Sequence, residues 1–195
     1  DIGPYNINGN FIFSSDPFND NNWVAQVHKF NFLDKFLLGY YTSRDILGAL
    51  QLFEGWLGQL NSEVEYHQVA TKDFVTGLRL SKFLLIISIA IKEGLPLPSE
   101  KFIGDFLEYH LSSLFSPELW RYTNHTVADI NALFLLSECY TGLFGRILML
   151  KAKMHFSSLV SSQFNNDGLH LEHSFGYQEF AIKYLEGWLK NPYLK

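Results

Sequence analysis

Two polar segments of the chain combine aromatic rings with side chains that donate or accept protons. The first contains Trp120, Tyr122, Asn124 and His125. The second, residues 165–178, contributes Glu172, His173 and Tyr177. An amide donates hydrogen bonds to developing negative charge, and a phenol transfers a proton. The side-chain types therefore indicate acid–base chemistry, if the fold brings the two segments together.

The elements that must position these segments are helices. From Trp23 onward the apolar residues recur at helical spacing, and no convincing alternating strand pattern is present. We predict helices at about Trp23–Gly39, Ser43–Asn61, Asp73–Ile91, Ser99–Phe115, Thr126–Gly142, Arg146–Phe164 and Gly176–Leu189. Residues 1–22 are rich in Gly, Asn, Asp, Ser and Pro, which favours an extended N-terminal arm. The short links predict an all-α fold of antiparallel helical hairpins, with both polar segments in links.

Helix boundaries have local signals. Ser99 is a typical N-cap, and Pro117 disfavours helical geometry at the residue before it. Thr126 and Asp129 have the spacing of a capping box, with Asp in place of Glu. We therefore expect Thr126 to cap the fifth helix.

Composition indicates a globular protein and argues against several partners. Hydrophobic residues make up 47% of the 195 and charged residues 18%, which suffices for a real core. The net charge of -5 and the scattered Lys and Arg argue against nucleic acid. The longest apolar run, 83–91, has about half of the roughly 20 residues that span a bilayer. Cys139, the single cysteine, is expected to be a small buried side chain.

Nine residues of the two segments and the following helix keep a recognisable order and spacing: Trp120, Asn124, His125, Asp129, Asp167, Gly168, Glu172, Ser174 and Tyr177. In this arrangement they resemble the helical domain of heparinase II/III-type polysaccharide lyases and related alginate lyases. A weaker likeness extends upstream to Trp23 and to the run around Arg79. The resemblance covers most of the chain from Trp23 onward.

The resemblance implies an architecture for residues 23–195. In the family the helices form an incomplete (α/α) toroid, and a β-sandwich domain follows and supplies a further catalytic His. The chain stops at Lys195 with no strand-rich region, so the resemblance implies a fragment or half of a site. It also implies an acidic polysaccharide substrate, a periplasmic or secreted protein and no cofactor.

The resemblance further implies β-elimination from a 4-linked uronate. The C5 proton is barely acidic while the neighbouring carboxylate is ionised. A hydrogen bond from Asn124 to that carboxylate would stabilise the enolate-like charge. Tyr177 would protonate the leaving oxygen as a phenol, or remove the C5 proton as a phenolate.

Six further residues are predicted to bind the substrate, and each has a structural alternative. His125 would contact the carboxylate or a hydroxyl, or be held by local hydrogen bonds at a helix start. Arg79 would pair with a uronate or with a group of its own chain. Trp120 and Tyr122 would form a stacking platform for sugars or pack at the rim of the core. Glu172 and His173 would contact substrate or orient neighbouring groups.

Other interpretations stay open. The residues Asp167, His170, Glu172 and His173 suggest a metal site, although Asp167 and Gly168 are explained by a turn. Thr126 and Gln178 replace the Gly and His of many relatives, which predicts altered substrate choice or reduced activity. A non-catalytic glycan- or protein-binding helical domain is the main alternative to a lyase. A hydrolase would need two carboxylates flanking the bond.

Overall fold

The computed structural model describes residues 13, 18–39, 41–60, 69–70, 72–168, 171 and 179. This part of the chain is mostly helical and contains no strand, which confirms the predicted all-α class. The chain comprises two compact units, residues 1–116 and 117–195. Most of the predicted arm and of the predicted last helix lies outside the described residues.

The described residues of the first unit include α1 (Asn21–His28), a 3-10 helix (Asn31–Leu38), α2 (Ser43–Leu60), α3 (Val75–Lys92) and α4 (Glu100–Phe115). The predicted bounds of α2, α3 and α4 agree closely with these. Ser99 caps α4 as predicted, because its side chain accepts a hydrogen bond from the Phe102 amide at 3.2 Å. Ser116 is extended and ends α4 ahead of Pro117, also as predicted.

The predicted single helix from Trp23 to Gly39 is wrong, because the chain turns at Phe30. This residue has a left-handed φ of 56°, which is unfavourable for a side chain of its size. Its ring is completely buried and stacks on Phe53 with 4.3 Å between ring centroids. Packing the ring into the core thus outweighs the backbone cost, and the helix resumes as a 3-10 segment.

Aromatic rings join α2, α3 and α4 into one core. The ring centroids of Phe83 and Phe106 lie 4.1 Å apart. Phe53 meets Phe83 edge-on at 5.3 Å, and Trp56 meets Phe106 at 5.8 Å. Such edge-to-face pairs add to the stabilisation that comes from burial alone.

The second unit contains a 3-10 turn (Pro117–Leu119), α5 (Thr126–Cys139) and α6 (Gly142–Gln163), and the two helices pack against each other as a hairpin. The helix predicted to begin at Arg146 begins at Gly142 instead. Gly145 is part of this packing, since a Cβ built on it would lie 2.1 Å from the carbonyl oxygen of Tyr140. The close approach of Tyr140 therefore requires a glycine at position 145.

The first turn of helix α5 buries polar as well as apolar residues. Thr126 and Asp129, the expected capping box, are both 0% exposed. The N-cap is His125, which makes no side-chain capping bond. The capping-box prediction is therefore wrong, because Thr126 is packed inside. Cys139, expected to be buried, is exposed where the helix ends.

Candidate functional site

The first polar segment is a loop that is tied to the C-terminal end of α6. Tyr122 has a left-handed φ of 51°. Its carbonyl oxygen accepts hydrogen bonds from Gln163 Nε2 at 2.7 Å and from Ser162 Oγ at 3.3 Å. These bonds hold the strained loop over the last turn of the helix.

Both aromatic side chains of this loop contact one histidine of α6. The indole of Trp120 stacks on the His155 imidazole, with ring centroids 3.4 Å apart and planes 6° from parallel. The Tyr122 hydroxyl is hydrogen-bonded to His155 Nδ1 at 3.0 Å. One face of the Trp120 indole is thereby covered, so a sugar ring could stack only on the other face.

The electrostatics around His155 keep its ring uncharged. Burial, together with the nearby ammonium of Lys151, lowers the pKa of His155 to about 4. Burial also lowers the pKa of Lys151, whose Nζ lies 5.6 Å from the Trp120 ring centroid. At neutral pH the imidazole of His155 is therefore neutral, and it shares one hydrogen bond with the Tyr122 hydroxyl.

Asn124 and His125 lie in the turn directly before α5. Asn124 is half-buried, and within the described part of the chain its amide has no hydrogen-bond partner. His125 is exposed, and its backbone N–H donates to Thr123 Oγ1 at 3.3 Å. The role of Asn124 as a hydrogen-bond donor to substrate stays a prediction.

The second polar segment starts at the same end of α6. The amides of Asp167 and Gly168 bond to Asn165 at 3.0 Å each and form the expected turn. The Leu171 amide then returns to donate to the carbonyl oxygen of Gln163 at 2.8 Å. Gln163 is therefore bonded to both segments, to one through its side chain and to the other through its main chain.

Three predicted site residues lie outside the described part of the chain. They are Glu172, His173 and Tyr177. Their roles stay predictions that rest on the resemblance.

Arg79 lies in the core of the first unit and is completely buried. Its guanidinium donates to His110 Nε2 at 2.8 Å, to the His28 carbonyl at 3.0 Å and to the Ala70 carbonyl at 2.8 Å. It also lies over the Trp56 ring at 3.9 Å. Arg79 therefore pairs with groups of its own chain, which was the structural alternative in its prediction. Its predicted role in binding a uronate is corrected accordingly.

The sequence did not single out Lys151, His155 or Gln163. Their partners in the first segment are some thirty to forty positions away along the chain. The only local signal is the four-residue spacing of Lys151 and His155, which places both on one face of a helix. A lone His on an amphipathic helix gives no further indication of a site.

A metal site and a membrane span have no support in the described ranges. Within them, no three His, Cys, Asp or Glu side chains are grouped so that they could hold a metal ion. No helix there has both the length and the apolar character needed to cross a bilayer.

Comparisons of the chain with protein-family models, with curated proteins and with solved structures found no match. The resemblance to heparinase II/III-type lyases therefore rests on the nine motif residues themselves.

Proposed function

We propose that this chain is the helical part of a polysaccharide lyase that cleaves a uronate-containing acidic glycan by β-elimination. The observation that best supports it is the double attachment of Gln163. It ties the loop of Asn124 to the start of the segment that leads to Tyr177. Two segments about forty residues apart thus share one anchor, as a joint site requires.

In this proposal Asn124 acts on the carboxylate of the uronate. Its neutral amide donates a hydrogen bond where enolate-like charge builds after the C5 proton leaves. A donor of this kind contributes about 10²–10³ in rate when it is held in place beforehand. In the proposal, two contacts of the loop provide that preorganisation. The Tyr122 carbonyl accepts a hydrogen bond from Gln163, and Trp120 stacks on His155.

Tyr177 is the proposed proton donor to the leaving glycosidic oxygen. The acid role needs no large change from a phenol's ordinary pKa, which is near 10. The proposal further assigns residues 23–195 to an incomplete (α/α) toroid. A β-sandwich domain and a periplasmic or secreted setting belong to the same proposal.

The test is spectroscopic. The natural full-length protein containing this chain is incubated with a panel of 4-linked uronate polymers. A lyase raises the ultraviolet absorbance, because each cleavage leaves a C4–C5 double bond. We expect Asn124→Ala to lower the initial rate at least about 100-fold. Tyr177→Phe should abolish it, whereas Ser161→Ala, an exposed polar position on α6, should not change it.

The result that contradicts the proposal is equally specific. A helical, folded full-length protein that raises no absorbance with any polymer is not a lyase of this class. An Asn124→Ala variant as active as the parent would remove Asn124 from the mechanism.

A glycan-binding module without catalysis is the second candidate, favoured by the half-buried Trp120 beside the ammonium of Lys151. An indole ring and a cation side by side can bind an acidic sugar without any proton transfer. In affinity electrophoresis, such a module would lose retention on an acidic glycan with Trp120→Ala. It would keep retention with Tyr177→Phe, since stacking survives loss of the hydroxyl.

A further inference from the structure

Helix α6 has a second apolar face that lies opposite the one packed on α5. The packed face consists of Gly145, Leu148, Ala152 and Leu159, all buried. The opposite face consists of Leu143, Ile147, Leu150 and Met154, which we call the outer stripe. Their exposed fractions are 74%, 42%, 60% and 61%. A run of large exposed side chains along one helix marks an interaction surface.

The outer stripe has coiled-coil spacing. Its members follow one another at intervals of four, three and four residues, which is the alternation of the a and d positions of a heptad. The stripe ends within α6, because the next positions on this face, Ser157 and Ser161, are polar. The seam therefore matches one partner helix over about three turns.

The residues flanking the stripe carry only positive charge. In the heptad defined by the stripe, Arg146 and Lys153 take the g positions and Lys151 takes an e position. No Asp or Glu is present anywhere in α6. In a seam formed by two copies of this helix, cations would face cations in either orientation. The flanking charges thus disfavour self-association and complement acidic side chains.

A pocket beside the stripe offers room for such side chains. It is open, has a volume of about 480 Å³ and lies between the end of α5 and the middle of α6. Leu150 of the stripe lines it together with Arg146 and Lys153. A carboxylate at the edge of a docked helix would reach two cations there.

We propose that the outer stripe of α6 docks an acidic amphipathic helix of a partner protein, with apolar residues at a and d and carboxylates at e and g. The interface is short, so the complex is of the weak, reversible class. This inference goes beyond the proposed lyase function and does not depend on it.

The probe is a fluorescent synthetic peptide of about three heptads, long enough to be helical when bound, with Leu and Ile at a and d and Glu at e and g. A matched peptide carries Lys at e and g. Fluorescence anisotropy with the intact protein should show the Glu peptide binding about tenfold tighter than the Lys peptide at low salt. The difference should shrink at about 0.5 M sodium chloride, where surface charges are screened.

Two variants separate docking from folding. Leu150→Gln, at an exposed position, should abolish binding of the Glu peptide and leave the helical circular dichroism unchanged. A double variant with Arg146→Glu and Lys153→Glu should reverse the preference and bind the Lys peptide more tightly. Ser161→Gln, beyond the stripe, is the matched control and should bind like the parent.

Three outcomes overturn the proposal. Equal binding of both peptides, or none, excludes charge-selective docking. Self-association in sedimentation velocity that depends on Leu150 would assign the stripe to a second copy. Leu150-dependent binding to vesicles with anionic lipids, without binding to the Glu peptide, would assign it to a membrane surface.

Discussion

At the residue scale, Arg79 shows how a cation is accommodated in the core of the first unit. His110 donates from Nδ1 to the Phe106 carbonyl at 2.7 Å, so its Nε2 is an acceptor for the Arg79 guanidinium. Burial and then the charge of Arg79 hold the pKa of His110 well below its usual range. The same two causes lower the pKa of His28 to about 3. Both rings are therefore neutral when Arg79 is charged.

We expect Arg79→Met to lower the free energy of unfolding by about 3 kcal/mol or more, because buried acceptors on His110, His28 and Ala70 lose their donor. Arg79→Lys should also destabilise, since a point charge cannot serve three separated acceptors. Urea unfolding measures both. Arg44→Met, at an exposed arginine of α2, is the control and should change stability by less than about 0.5 kcal/mol. A similarly small effect at Arg79 would contradict the structure.

The lowered pKa values predict a pH dependence. In the unfolded state His110 binds a proton as the pH falls below about 6.5, whereas in the folded state it stays neutral. The unfolded state then binds more protons, so this contribution to stability is present above pH 6.5 and is lost as the pH falls. His110→Gln removes the titration. We therefore expect the stability difference between parent and variant to shrink from pH 7 to pH 4.5 in urea titrations. A constant difference would show that His110 is not held neutral.

At the element scale, the hairpin of α5 and α6 depends on close approach at one glycine. A side chain at position 145 would meet the carbonyl oxygen of Tyr140, which is backbone and cannot move aside cheaply. In contrast, nothing lies within 4 Å of a Cβ built on Gly104 in α4. Substitution by alanine is therefore expected to change stability in opposite directions at Gly145 and Gly104.

We expect Gly145→Ala to destabilise the protein by about 2 kcal/mol, since overpacking exceeds the gain in helix propensity. Gly104→Ala should stabilise it by about 0.5–1 kcal/mol, because alanine restricts the unfolded chain at no steric cost. Thermal unfolding followed by circular dichroism measures both shifts. Equal shifts in the same direction would rule out the close contact.

Local signals predicted some elements and failed for others. Helix α4 follows its sequence signals because Ser99 and Pro117 act within a few residues. The break at Phe30 depends on its packing against Phe53, which lies too far along the chain for local patterns to contain it. The site divides in the same way. Asn124 is predicted from its segment and stays a prediction, whereas His155 is recognisable as a candidate only once Trp120 stacks on it.

At the scale of the whole molecule, charge is distributed unevenly. The chain carries 20 acidic and 15 basic residues, yet α6 has no acidic residue at all. An acidic polysaccharide would be weakly repelled by the net charge of -5, so local cations such as Lys151 must provide its attraction. The same helix thus favours anionic partners on more than one of its faces.

Gln163 connects distant parts of the chain. We expect removal of its side chain to loosen only one of them. Gln163→Ala deletes the bond to the Tyr122 carbonyl but keeps the main-chain bond to the Leu171 amide. We expect amide hydrogen exchange to accelerate about tenfold in residues 120–126 and to stay unchanged in residues 165–171. Ser161→Ala is the control. If amide exchange accelerated in both segments, the side chain of Gln163, rather than its main chain, would be what holds residues 165–171.

The two-residue link between α5 and α6 also bears on how the second unit folds. A hairpin of neighbouring helices closes a short loop and forms its contacts early, whereas the stack of Trp120 on His155 spans 35 positions and must follow. Substitutions that loosen the 120–125 loop should therefore speed unfolding while leaving the refolding rate almost unchanged. The groups proposed for chemistry would then be assembled last, on a scaffold that is already in place.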